Sequence, residues 1–159
     1  MGVRLAVDED LPLLRRMLYE AANRPGSAWP AFDASMEEPR NKRFWSGWMR
    51  EGDVGVVAED GAMPVGAAWI RCFVGEELSP TDDPEVPVLA TGVERDYRGR
   101  GVGGLLMDAL IEQARARGVR AISLTTGLFN DAAVRLYRRR GFAEVLRRGE
   151  GVTMVVVLD

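Results

Sequence analysis

The nine residues from Asp96 to Gly104, DYRGRGVGG, hold four glycines and two arginines and stand directly before a stretch with helical periodicity. Glycine leaves main-chain N–H groups bare to a ligand. The start of a helix exposes unpaired N–H groups and carries about half a positive charge, and successive turn amides form a concavity for anions. Arg98 and Arg100 add charge and forked donors. This chemistry suits a ligand with phosphate groups. A Walker loop is rejected, because Leu105 and Leu106 stand where Lys and Ser or Thr are required. Gly99, Gly101 and Gly104 do spell G-x-G-x-x-G, the dinucleotide fingerprint. That reading needs an acidic residue about 20 positions further on, and no Asp or Glu lies between Glu112 and Asp131.

The elements that must position this turn follow from periodicity. VLATGV, ending at Val93, reads as the strand before it. Val102, Leu105, Leu106, Ala109 and Leu110 form the apolar stripe of a helix stopped by Gly118. AISLTT reads as a strand, and NDAAVRLYRRRG as a helix capped by Asn130 and ended by Gly141. FAEVLRR and VTMVVVL flank GEG as a final hairpin. Upstream, VRLAV alternates as a strand. A helix follows, with Asp8 or Asp10 as candidate caps, Pro12 in its first turn, and Leu14, Met17, Leu18 and Ala21 at helical spacing. Residues 23 to 41 hold three prolines and a glycine and read as a long connection. KRFWSGWM is expected to be a short second helix. Two apolar runs about Glu59, Asp60 and Gly61 predict a hairpin. Hairpins mixed with strand–helix–strand units predict one α/β domain over residues 1–159, a mixed sheet with helices on its faces.

Composition narrows the partners. The formal net charge is −3, from 21 basic and 24 acidic side chains. That balance argues against a general binder of nucleic acid. No run of about 18 apolar residues exists to span a membrane, and the acidic start MGVRLAVDED is not a signal peptide. The chain has no histidine and one cysteine, which excludes His-based triads, His-ligated metals and Cys-rich zinc sites. A cytoplasmic location without disulfides is expected. Cys72, within AAWIRCFV, reads as a buried strand residue.

Arg98-x-x-Gly101-x-Gly103 matches the Q/R-x-x-G-x-G/A motif of the GCN5-related N-acetyltransferases (GNAT). GVERDYRGRGVGGLLMDALIEQARARG resembles that family's acyl-CoA-binding segment. NDAAVRLYRRRGF resembles its second signature, with Asn130, Ala133, Leu136, Tyr137, Gly141 and Phe142 at the family spacing. The resemblance covers residues 88 to 142. It implies a mostly antiparallel central sheet, splayed at the cofactor strand. It implies acetyl-CoA as cosubstrate, no metal, and direct attack by an amine in a ternary complex. Carried over, the pyrophosphate lies on the N–H groups of Arg98, Gly99, Arg100, Gly101, Val102, Gly103 and Gly104. The pantetheine arm pairs with the strand ending at Val93, and Asn130 touches the cofactor. Tyr137 is the implied acid that protonates the leaving thiolate. A thiol pKa of about 8.5 against about 10 for tyrosine makes that transfer only modestly uphill.

The acceptor is expected to be a small-molecule or peptide amine, and the resemblance also allows a homodimer. Holding a lysine-like amine neutral at pH 7 costs about 4.6 kcal/mol, so a base or a desolvating channel must help. Glu37, Glu38, Asp83 and Glu85 are the candidate carboxylates, and Thr91 is a candidate to hold a water. Trp29, Phe32, Phe44, Trp45 and Trp48 offer an aromatic wall for a cation or ring, with core packing the plainer role. The acidic loop from Gly75 to Pro87 is placed to attract a cation. The Arg138–Arg140 and Arg147–Arg148 clusters read mostly as a solvated face, with the cofactor's 3′-phosphate as another task. A CoA-binding sensor without turnover is the rival reading, kept open by the unassigned base.

Overall fold

A computed structural model describes residues 1–23 and 26–158. Arg24 and Pro25, within the long connection, and Asp159 lie outside the described residues. The strands are β1 (Gly2–Leu5), β2 (Val54–Asp60), β3 (Met63–Arg71), β4 (Val88–Val93), β5 (Ala121–Gly127), β6 (Ala143–Arg148) and β7 (Gly151–Val157). They form a single seven-stranded sheet in the order β1-β2-β3-β4-β5-β7-β6. Every pairing is antiparallel except β4–β5.

Alternation along the strands sorts the core into two layers. Val56, Ala58, Ala68 and Leu89 face α4 (Val102–Ala116) and α5 (Asp131–Arg139), which bury Leu106, Leu110, Val134 and Tyr137 against them. Val57, Ala67, Trp69 and Ala90 face the opposite way, onto Leu13, Leu14, Met17 and Leu18 of α1 (Leu11–Ala22). α1 lies very close to β4: a Cβ placed on Gly92 would stand 2.3 Å from the Met17 carbonyl oxygen. Only glycine permits that approach.

β4 and β5 are paired at one register position, Val88 with Ser123, and the Ser123 N–H donates to the Pro87 carbonyl. Beyond that point the two parallel strands separate, leaving the β5-facing edge of β4 from Leu89 to Val93 without a neighbouring strand among the described residues.

Several sequence expectations change. KRFWSGWM is not a helix: residues 43–49 form successive turns, and the helical pieces precede them as α2 (Phe32–Glu37) and α3 (Pro39–Lys42). Pro39 stops α2 and opens α3. Neither Asp8 nor Asp10 caps α1 through its side chain. Asp10 instead accepts from the Val7 N–H at 2.7 Å and binds both terminal nitrogens of Arg4, at 2.8 and 2.9 Å. Cys72 lies just past the end of β3 and is half-buried. Among the described residues, no helix is long and apolar enough to cross a membrane.

Candidate functional site

The gap between β4 and β5 opens into a cavity of about 930 Å³ that reaches both faces of the sheet. From the α4/α5 side it is lined by Arg98 to Gly104 (Arg100 apart), Asn130 and Tyr137, and from the α1 side by Glu20, Asn23, Arg43 and Phe44. Of the residues singled out in the sequence as cofactor-binding, all but Arg100 therefore sit around one space, at the open end of the strand gap.

The turn is shaped by its glycines in two ways. Gly99 and Gly101 have φ of +75° and +83°, a region that L side chains avoid. Gly103 and Gly104 lie under α5: an added Cβ would meet Leu136 at 3.1 Å and the Arg140 guanidinium at 2.7 Å. Arg140 also grips Asp108 of α4, with Nε to Oδ1 at 2.9 Å and Nη2 to Oδ2 at 3.3 Å. It is a clamp between the two helices, not the solvated charge its sequence setting suggested. Among the described residues, none of the N–H groups from Gly99 to Gly104 has a hydrogen-bond acceptor; the first helical bond of α4 is Leu105 N–H to the Gly101 carbonyl. A row of open donors at the positive end of a helix is what an anionic ligand requires.

Arg98 departs from that row. Its N–H donates to the Arg95 carbonyl at 3.3 Å. Its guanidinium folds back to the Val93 carbonyl at 3.2 Å and to Glu20 at 3.4 Å. It ties the turn to the last carbonyl of β4 and to α1. Arg100 stacks over the Tyr97 ring at 5.0 Å, and Tyr97 donates to Asp60 at 2.7 Å. That bond pins the turn to the tip of the β2–β3 hairpin.

Tyr137 is buried in the α4/α5 layer with its ring 5.6 Å from that of Phe142, and it lines the cavity. Among the described residues its hydroxyl has no hydrogen-bond partner. Burial pushes its pKa above the ordinary tyrosine value, so it holds its proton through neutral pH. Asn130 accepts from the Ala133 N–H through Oδ1 at 3.2 Å, capping α5. Its side-chain NH₂ remains able to donate toward the cavity.

The candidate bases do not converge there. Glu37 pairs with Lys42, Glu38 with Arg40, and Asp83 accepts from the Glu85 N–H. None of these four carboxylates lines the cavity; Glu20 and Glu150 do. Glu20 lies on α1 in a plain amphipathic pattern, so no sequence signal marked it. It accepts from Arg95 at 3.1 Å and from Arg98. Thr91 does line the cavity, and its hydroxyl donates to the Ala67 carbonyl at 3.1 Å. The acidic loop is also otherwise engaged, with Glu77 bound to both terminal nitrogens of Arg50 at 3.0 and 2.7 Å.

The aromatic residues do not form one wall. Trp45 and Trp48 donate their indole N–H groups to the Met36 and Val7 carbonyls. Arg15 lies over Trp45 at 4.5 Å, and Arg95 lies over Trp29 at 4.3 Å.

The chain is similar to known proteins in sequence and in fold. The sequence model of the acetyltransferase (GNAT) family matches residues 15–142. An uncharacterized N-acetyltransferase of Methanocaldococcus jannaschii is 32% identical over 109 residues, 65% of this chain and 47% of that protein. The chain spans less than half the length of the curated relatives it matches first. In fold, it resembles a ribosomal-protein-alanine N-acetyltransferase from Brucella melitensis (TM-score 0.73, 24% identity, 99% of this chain and 100% of that one). It also resembles a putative acetyltransferase from Salmonella typhimurium solved with its cofactor acetyl-CoA (TM-score 0.72, 20% identity, 100% of this chain and 94% of that one).

Proposed function

The chain belongs to the acetyltransferase (GNAT) family, and from that premise we propose that it transfers an acetyl group from acetyl-CoA to the nitrogen of an amine. The observation that carries this reading is the row of open N–H groups from Gly99 to Gly104 at the mouth of the β4–β5 gap. Acetyl-CoA supplies a diphosphate, an arm able to pair with a strand edge, and an activated acyl carbon. The chain offers a complementary feature for each. The turn donates to the diphosphate. The unpaired edge of β4 takes the amide groups of the arm, as an added strand would. The gap holds the thioester near Tyr137.

Transfer forms one C–N bond and breaks one C–S bond. The amine must lose a proton before its nitrogen attacks, and the sulfur leaves as a thiolate. Tyr137 is assigned the proton donor to that sulfur. Its hydroxyl is protonated at neutral pH, faces the cavity and has no competing acceptor among the described residues. Arg98 and Asn130 are assigned to the cosubstrate side, Arg98 by fixing the turn to β4 and Asn130 through its free amide hydrogens. Cys72 lies outside the cavity lining, consistent with direct attack and no acyl-enzyme.

Calorimetric titration with acetyl-CoA, followed by an assay of CoA thiol release over a panel of amines, tests the reading. Binding with a thermal shift, and thiol release with at least one amine, is expected. No heat at millimolar ligand overturns it. Binding without turnover on any amine leaves a CoA-binding module in its place.

A further inference from the structure

Five of the described arginines line the cavity, and they stand on two sides of the sheet. Arg98, Arg135 and Arg139 stand on the turn and on α5. Arg40 and Arg43 line it from the other face of the sheet. Arg71, opposite Val88, donates to the Arg43 carbonyl at 3.2 Å and to the Ser46 carbonyl at 2.6 Å. Trp69, opposite Ala90, donates to the Phe44 carbonyl at 2.9 Å. The Arg43–Phe44 main chain therefore lies over the start of β4. The turn follows the other end of that strand, five residues or roughly 17 Å away. Arg43 is at the acyl end of the cavity, remote from the donors that would hold the diphosphate.

The Arg43 guanidinium is half-buried and fixed on three sides. Its Nε donates to the Arg40 carbonyl at 2.9 Å and its Nη1 to the Leu78 carbonyl. It lies over the rings of Phe44 and Phe73, at 5.2 and 4.9 Å. Among the described residues, no carboxylate comes within ion-pair distance and Nη2 has no acceptor. The acid nearest in effect, Glu77, is already held by Arg50. Arg50, Arg71 and Arg140 each have a carboxylate partner; Arg43 does not. A guanidinium drawn partly out of water without a counter-ion is unfavourable, and an arriving anion relieves that.

We infer that the acyl acceptor is an amine that also carries an anionic group, carboxylate or phosphate, which the free edge of Arg43 receives with Arg40 beside it. This rests on the acetyl-transfer reading and names its substrate class. The anion supplies the binding that a cationic site denies to a bare ammonium. The uncompensated charge of Arg43 disfavours the charged form of an amine held near it, which assists the deprotonation for which none of the four candidate carboxylates stands in the cavity. The chain as a whole is weakly acidic, but among the described residues Arg43 sets a positive charge without a carboxylate partner into this wall of its cavity.

The test starts with acetyl-CoA calorimetry on the intact chain, so that a failure of the parent reading shows first: no binding removes both readings. CoA thiol release is then measured on matched acceptors, an amino acid against its amide and an aminoalkyl phosphate against the corresponding amino alcohol. The anionic member of at least one pair is expected to have about tenfold or higher kcat/KM. The pair showing the larger ratio identifies carboxylate or phosphate. Arg43→Gln should erase the preference by raising KM, with acetyl-CoA affinity unchanged, and Arg40→Gln should weaken it less. Equal rates within both pairs in the wild type overturn the inference. So does a preference that survives Arg43→Gln, or a loss of acetyl-CoA binding in that variant, which would assign Arg43 to the cosubstrate. Should Arg43→Gln fail to fold, Arg43→Lys keeps the charge without the fork. It should lower the preference part-way, and the wild-type preference should shrink as salt is raised; a ratio indifferent to both refutes the idea.

Discussion

The two sides of the cavity are built by opposite means. On the α4/α5 side the main chain faces the cavity with its donors open from Gly99 to Gly104. On the α1 side main-chain groups are taken up by distant side chains. Trp69 holds the Phe44 carbonyl, Trp45 that of Met36, Trp48 that of Val7, and Arg71 those of Arg43 and Ser46. The first side is a local structure that binds through its own amides. The second is a tertiary structure in which indoles and guanidinium groups shape irregular chain. A ligand that varies little suits the first, and one that must be discriminated suits the second, because side chains can change without refolding a turn.

If the sides are separable, damage to one should spare the other. The largest effect is expected at Arg71 and Asp53, a fully buried ion pair bonded at 2.9 and 2.7 Å. Asp53→Ala leaves the guanidinium buried without a counter-ion and should cost about 3–5 kcal/mol in urea unfolding. Arg71→Met combined with Asp53→Leu should recover much of that loss. Acetyl-CoA affinity of the folded protein should hardly change, and a parallel fall would show that the sides are coupled. Next is Tyr137→Phe, expected to lower kcat about a hundredfold with acetyl-CoA Kd unchanged. Because burial raises the Tyr137 pKa, the wild type should keep its acid through pH 10, and its rate should fall only above that. An alkaline limb in the neutral range would point to another donor.

The same contrast explains what was legible in the sequence. The turn, its flanking β4 and α4, and the Asn130 cap announce themselves through glycine spacing, periodicity and cap chemistry, all local. Glycine does not declare which of its properties is in use: Gly99 and Gly101 serve φ, whereas Gly103 and Gly104 make room for α5. The irregular residues 43–49 carry a helix-like apolar pattern because Phe44, Trp45 and Trp48 pack sideways onto α1 and β3. Their conformation depends on partners up to 41 residues away in sequence, which no local window contains. Glu20 and Arg43 were missed as cavity residues for the same reason. The acidic loop looked like a cation trap because Arg50, which holds Glu77, is remote in sequence.

Two glycines sharpen the comparison at smaller scale. Gly92→Ala brings a Cβ to 2.3 Å from the Met17 carbonyl oxygen and to 2.9 Å from its carbonyl carbon. Because the obstacle is backbone, α1 must move, and a cost of about 1–3 kcal/mol in stability is expected. Gly101→Ala meets no atom within 4 Å but sits at φ +83°. Its strain, about 1 kcal/mol, should appear as acetyl-CoA affinity weakened by roughly five- to tenfold, read by calorimetry, with the acceptor KM little changed. The reverse pattern, with Gly101 altering stability alone, would make that turn a structural bend.

The smallest expected effect separates the two sides by their response to acid. Glu77 lies below the ordinary carboxylate range because Arg50 hydrogen-bonds both its oxygens, with the Val74 N–H adding a third bond. A lowered folded pKa means that the unfolded chain binds the proton first as pH falls. The stabilisation is therefore present above about pH 4.3, the ordinary value for Glu, and is lost as pH drops through the folded value. Both partners retain some exposure (26% for Arg50 and 22% for Glu77), so solvent screening holds the effect to about 1 kcal/mol or less. On the α5 side the corresponding local bond is Asn130 Oδ1 to the Ala133 N–H, and an amide does not titrate. Below pH 4.3, hydrogen exchange at Val74, corrected for intrinsic chemistry, should rise before exchange at Ala133, and Glu77→Gln should abolish the lag. Simultaneous loss of protection at both amides would mean that acid melts the sheet as a whole, and that the two walls of the cavity share one stability.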